Sequence, residues 1–382
     1  MKKLFIPVLG LALFATSCKK ENNITPTPSN LKIPYTTLST SSNYKATFVD
    51  AEGKTTVDFS GQTTRINMLK EIDAHIKTGT SADIDAVKLI NMFRNQNTPF
   101  TSADLNAATD KVISAKTAQS FSATEADAER QRFIGYFNEL ERISKMNGQT
   151  AEQGKAGVLG TNRLVDEKGF ELSQFVQKGL IGAMMLDQIA NIYLGTEEQS
   201  ADNSEPAEGK NYTDLEHHWD EAYGYLTAND TYPVEGKESF LGSYAVQGTS
   251  VHDGAEALYL AFLKGRAAIV NNDLATRDEQ IAYIRTELEK AIATVAISYL
   301  NKTNTATDDA SRFHALSEGV GFIYSLRFAH NAKINKAKSE ELLNILMGKA
   351  NGFWSLTTDD INNVRDQIAT TFGIDKTTVV NH

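Results

Sequence analysis

Cysteine is all but missing from this chain. Cys18 is the only one among 382 residues, so no disulfide can form within the chain and stability must come from packing. Basic charge is also in deficit, with 38 Lys and Arg against 48 Asp and Glu, a formal net charge of −10 and a pI near 5.3. A surface of that sign repels a phosphate backbone, so no nucleic acid is expected as a partner. Beyond the first 14 residues, no apolar run is long enough to span a membrane. Signatures of hydrolytic chemistry are absent too, with no GxSxG and no HExxH, and there is no CxxCH for covalent attachment of haem. Ser250-Val251-His252-Asp253 is a run of neighbours, and adjacent residues do not converge as a triad must. Gly154-Lys155 fails as a phosphate loop. Five residues separate it from Gly148 instead of four, and Ala156 stands where Ser or Thr would hold magnesium. Enzymatic activity is left open on these grounds, with the balance toward none.

The chain does carry an address. Lys2 and Lys3 precede the apolar run Leu4 to Phe14, and Ala15-Thr16-Ser17 lead into Cys18. Residues 1–17 read as a signal peptide. The small residues before Cys18 resemble the lipobox of bacterial lipoproteins, with Ala15 in place of the usual leucine, which implies cleavage before Cys18 and lipidation there. Losing Lys2 and Lys3 leaves 36 basic against 48 acidic groups, a mature charge of −12. The expected localisation is therefore export, with the protein held to a membrane by the lipid on Cys18.

Residues 18–43 form the lipidated cysteine and a flexible tether, rich in Asn, Thr and Ser and broken by Pro26, Pro28 and Pro34. Tyr44 to Phe59 alternates around Ala51-Glu52-Gly53-Lys54, the pattern of a small N-terminal β-hairpin. Everything later has helical period, so the fold class is all-α: a multi-helix bundle of roughly eleven helices within a domain spanning 44–382. The acidic stretch 195–211 offers a division into two similar halves, 61–195 and 209–382. The most apolar helix, about 167–194, contains Leu180-Ile181-Gly182-Ala183-Met184-Met185-Leu186 and should lie at the centre, with Gly179 and Gly182 admitting a neighbour.

One segment is denser in chemistry than any other. His217-His218-Trp219-Asp220-Glu221-Ala222-Tyr223-Gly224-Tyr225 places His217, Glu221 and Gly224 on one helical face. The spacing recurs 97 residues later as His314, Glu318, Gly321 and Phe322. A His and a Glu on each of two helices would offer four ligands, His217, Glu221, His314 and Glu318, to a shared metal such as iron or zinc. His218 and Asp220 would stand behind them as a second shell. Haem is a further candidate, with His217 or His314 as axial ligand. The plain alternative is packing: Gly224 and Gly321 would allow close helix contact, and Tyr225 and Phe322 would fill core.

Lys178-Gly179-Leu180-Ile181-Gly182-Ala183, the His217 segment and His314-Ala315-Leu316-Ser317-Glu318-Gly319 resemble landmarks of the Bacteroidetes lipoprotein family known as domain of unknown function 4856. More distantly, that family resembles the imelysin-like lipoproteins, which implies a helical fold with two similar bundles, an iron-uptake setting and a place as an outer-membrane lipoprotein, on either face of that membrane. The imelysin signature GxHxxE is not met: Glu follows His217 and His314 by four positions, and Leu215 and Arg312 occupy the glycine position. The function expected from residues and resemblance together is a lipid-anchored envelope protein that binds a metal or a metal-bearing ligand. A TonB-dependent transporter or other uptake protein is its expected partner. The alternatives are a metal-free protein- or glycan-binding accessory module, and a metallopeptidase.

Overall fold

Apolar residues spaced three and four apart fold as α-helices over most of the chain, fourteen of them among the described residues. The computed structural model describes residues 31–248, 251 and 254–380. The expected signal peptide, Cys18 and the first part of the expected tether lie outside the described residues. In chain order the helices are α1 (Tyr44–Thr47), α2 (Ser60–Lys77), α3 (Ala86–Arg94), α4 (Ala103–Ala107), α5 (Ile113–Lys116), α6 (Ala123–Ser144) and α7 (Leu172–Leu180). There follow α8 (Asp214–Leu226), α9 (Phe240–Gln247), α10 (Ala255–Val270), α11 (Leu274–Thr305), α12 (Asp309–Ser325), α13 (Lys336–Met347) and α14 (Thr358–Phe372). The count exceeds the expected eleven by α1 and α5, single turns too short to show a period, and by α9, which is only eight residues long.

The all-α expectation holds, and the one paired-strand element sits elsewhere than expected. Strands β1 (Gly157–Leu159) and β2 (Arg163–Val165) are antiparallel, with Gly157 opposite Val165, and the turn between them bends at Gly160 with φ +63°. The stretch Tyr44 to Phe59 is instead one helical turn, capped by Asn43, and a tight turn closed by a single bridge between Val49 and Thr55. Asp50 explains the difference. Its carboxylate accepts from the backbone N–H of both Glu52 and Lys54, closing the turn on itself before a ladder can extend. The tether also ends early: Ile33 exchanges backbone hydrogen bonds with the Asn271 side chain at 2.9 and 2.8 Å, and the Tyr35 hydroxyl donates to Asp273 at 2.7 Å.

At the centre, α7 runs on without a break through two widened π turns, Ile181–Leu186 and Gln188–Tyr193. Residues 181–190 are all buried, as an all-round apolar helix requires. Gly182 is essential to that burial. A Cβ there would come within 2.4 Å of Ser325 Cα, whereas the bare N–H donates to Ser325 Oγ at 3.1 Å. Around this axis α7 packs along α12, α12 along α11, and α2 and α10 against α8. Helices from before residue 195 thus pack against helices from after 209. No helix among the described residues is long and apolar enough to cross a membrane.

Candidate functional site

Helix α8 begins at a capping box. The Thr213 hydroxyl accepts from the Glu216 N–H, and Glu216 Oε2 accepts from the Thr213 N–H at 2.9 Å. This start fixes the phase of the helix and so the face carrying His217, Glu221 and Gly224. Gly224 is where α2 approaches: a Cβ there would lie 2.5 Å from Phe59 Cβ and 3.0 Å from Gln62 Cβ. With the helices that close, Gln62 Nε2 donates to Glu221 Oε1 at 2.8 Å, and the Tyr193 hydroxyl donates to the same oxygen at 3.2 Å. Glu221 Oε2 faces His217 Nε2 across 3.9 Å. The Tyr212 ring stacks on His217 with centroids 4.8 Å apart, and His217 Nδ1 is buried with no hydrogen-bond partner among the described residues.

The second copy is built alike. Gly321 admits α7, since a Cβ there would lie 2.4 Å from Lys178 Cβ. The Lys178 ammonium then pairs with Glu318 Oε1 at 2.8 Å, in the role Gln62 plays for Glu221. Each copy is therefore a crossing point, where the glycine admits a neighbouring helix and the glutamate accepts from that neighbour. Tyr225 and Phe322, the aromatics that follow, are fully buried core.

The copies differ in what remains free. His314 is spent on both sides: Nδ1 is 2.7 Å from Glu171 Oε2, and Nε2 is 3.4 Å from Glu318 Oε2. Burial raises the Glu171 carboxyl, but the His314 hydrogen bond and charge outweigh it and hold the group below its usual value. The two carboxylates flank opposite ring nitrogens and so cannot converge on one point, and Lys178 already supplies the positive charge beside Glu318. The structure does not bring the four expected ligands together. Among the described residues there is no group of three or more His, Cys, Asp or Glu side chains placed to hold a metal ion.

The expected second shell is also differently engaged. His218 Nδ1 lies 3.0 Å from both the carbonyl and the carboxylate of Glu198. Asp220 turns toward α10, where its Oδ1 takes Arg266 Nε at 3.0 Å and the Tyr44 hydroxyl at 3.0 Å. Arg266, wholly buried, also pairs with Glu216 at 2.8 Å and donates to Thr56 at 3.1 Å. Burial pushes the Asp220 carboxyl up to about 7 against the pull of Arg266 and Tyr44.

His217 and Glu221 open instead onto a cavity of about 460 Å³ between the start of α2, the α5 region and α8. Ser60, Gly61, Arg65, Lys111 and Lys116 form its other wall. Residues 43–375, from the cap of α1 to just beyond α14, match the family described as "Domain of unknown function (DUF4856)". The chain belongs to this family. The DUF4856 match covers both copies of the motif and both walls of the cavity. No curated protein and no solved structure matches the chain.

Sequence reasoning found the α8 wall of this DUF4856 cavity and missed the α2 wall. Its signal was a break in pattern, for Gln62 and Arg65 stand in register with the apolar stripe Ile66, Leu69, Ile72 and Ile76, and both are buried. Polar residues on a buried face need a partner or a ligand. Glu171 and Lys178 were missed for another reason: each is distant in sequence from the His314 motif and meets it only through helix packing.

Proposed function

We propose that this DUF4856 protein is a lipid-anchored cell-envelope protein that binds a metal-bearing ligand in the cavity beside α8. The leader and small residues before Cys18 support the anchor. One observation carries the binding assignment: of the four candidate ligands, His217 and Glu221 are the pair on the wall of an open polar cavity, with facing donor atoms 3.9 Å apart. Bonds of about 2.0–2.2 Å from each donor, usual for zinc and similar ions, span that gap. Two protein donors leave the rest of the coordination shell to the ligand. That suits an ion arriving in a chelate, iron in particular, better than a bare ion. Delivery to an outer-membrane uptake transporter of the TonB-dependent kind is the partner this reading implies.

The test is titration of the mature protein with ferric citrate, zinc and haemin. Binding of at least one should be saturable and at least tenfold weaker in His217→Ala/Glu221→Gln. Binding by none of the three, or equal binding by the variant, overturns the proposal.

A further inference from the structure

The cavity's carboxylates and cations are unequal in how they are used. Asp58, two residues before the first residue of α2, accepts from the Ser60 N–H and hydroxyl at 3.0 and 2.7 Å. Glu221 takes Gln62 and Tyr193, as described. Arg65 has no comparable partner. It is 8 % exposed, its Nε finds no hydrogen-bond acceptor among the described residues, and its Nη1 reaches the Gly61 carbonyl at a long 3.4 Å. The buried Tyr225 hydroxyl lies beside it, close enough for the Arg65 charge to act on it, but makes no hydrogen bond of good geometry among the described residues.

This guanidinium is folded back toward the first turn of α2, an 18-residue helix whose first-turn amides have no acceptor within the helix. Ser60 and Thr63 find acceptors in Asp58 and Phe59. Between them lie Gly61 and Gln62. A Cβ on Gly61 would sit 3.1 Å from Lys111 Cε and 3.5 Å from Arg65 Nη1, so both cations gather at this end of the helix. Lys116 lies on the same wall, its ammonium held below its usual value by burial and then by the charge of Arg65, against the opposing pull of Glu221 and Glu198. Lys111, partly exposed, already pairs with Asp110 at 2.5 Å, so the buried charge short of acceptors is that of Arg65. A buried guanidinium with an unmet donor at a helix N-terminus, with two ammonium groups beside it, is the arrangement that binds an oxyanion.

We infer that the start of α2, with Arg65, Lys111 and Lys116, is a subsite for a carboxylate or phosphate group of the ligand. It shares the cavity of the proposed function and rests on that reading for the rest of the ligand. The anionic group would complete the hydrogen bonding of Arg65, while any metal the ligand carries lies toward His217 and Glu221.

The experiment is calorimetric titration of the mature protein with inorganic phosphate and, separately, with citrate, at low salt and with no metal present. Saturable one-site binding of either is expected, and the stronger of the two identifies the oxyanion. Arg65→Gln should weaken it at least tenfold, and Lys116→Gln and Gly61→Ala at least threefold. Lys77→Gln, on the far end of α2, should leave it unchanged. If Arg65→Gln does not fold, Lys116→Gln decides. No binding of either anion, or undiminished binding in Lys116→Gln and Arg65→Gln, overturns the subsite. Metal-free anion binding that survives His217→Ala/Glu221→Gln upholds the subsite even if the chelate fails to bind. Chelate binding without any anion binding overturns the subsite and leaves the proposed function standing.

Discussion

Replacing Lys178 by methionine tests whether the second motif copy is closed by an internal cation. Lys178 and Glu318 are both nearly buried and lie 2.8 Å apart, and methionine keeps the stem that packs on Gly321 while deleting the ammonium. Removing one partner of a buried pair typically costs about 3–5 kcal/mol, because the remaining charge has lost its partner and cannot reach water. Gln174 and Gln177, which also accept from the ammonium, lose a donor as well. An effect of that size should lower the urea midpoint by on the order of 1 M. Lys178→Met/Glu318→Gln should recover most of the loss, because both charges are then gone. Urea unfolding followed by circular dichroism measures both variants. A single variant as stable as the wild type, or a double variant no better than the single, would refute the reasoning.

The crossing glycines give a second prediction. Gly224→Ala forces a Cβ to 2.5 Å from Phe59 and should cost about 1–3 kcal/mol. Gly135→Ala, in the exposed interior of α6 with nothing within 4 Å, should gain about 0.5–1 kcal/mol. Thermal unfolding of the pair decides, and equal effects would contradict the crossing-point account. Asp220 makes the third. Its carboxyl is raised to about 7 from an ordinary 3.8, so its contribution to stability is full below about 3.8 and is lost as pH rises through 7. Stability of the wild type relative to Asp220→Asn should therefore fall between pH 4 and pH 8. A flat difference would show that Asp220 does not titrate in this range.

What could be read from the sequence was whatever a single helix states by itself. The uninterrupted apolar run marks the α7 axis as central. Helix starts are less legible. Thr276 has a capping hydroxyl, yet Asp273 three residues earlier caps α11, its carboxylate accepting from the Thr276 N–H. Ser339 has one too, but Asn335 caps α13, and the Ser339 hydroxyl is buried, donating to the Ile323 carbonyl and accepting from Arg327. At both places several residues with capping side chains stand in line, and which one caps depends on tertiary contacts.

The repeated His-Glu-Gly spacing was visible in the sequence, and the structure shows what it builds. A shared metal centre and a pair of helix crossings both call for that face, and only the partners tell them apart. Those partners, Gln62 for Glu221 and Lys178 for Glu318, lie over a hundred positions away, beyond the reach of any local pattern. Charge settles the asymmetry between the copies. An ammonium in the second copy occupies the place where a neutral amide in the first leaves the carboxylate free to face a cavity.

The most direct measurement is ferric citrate binding by three forms of the mature protein: wild type, His217→Ala/Glu221→Gln and His314→Ala/Glu318→Gln. Since the first pair opens onto the cavity and the second is spent on Glu171 and Lys178, the first double variant should lose at least tenfold in affinity. The second, once shown to be folded, should match the wild type. Loss of binding in the second with none in the first would contradict the account.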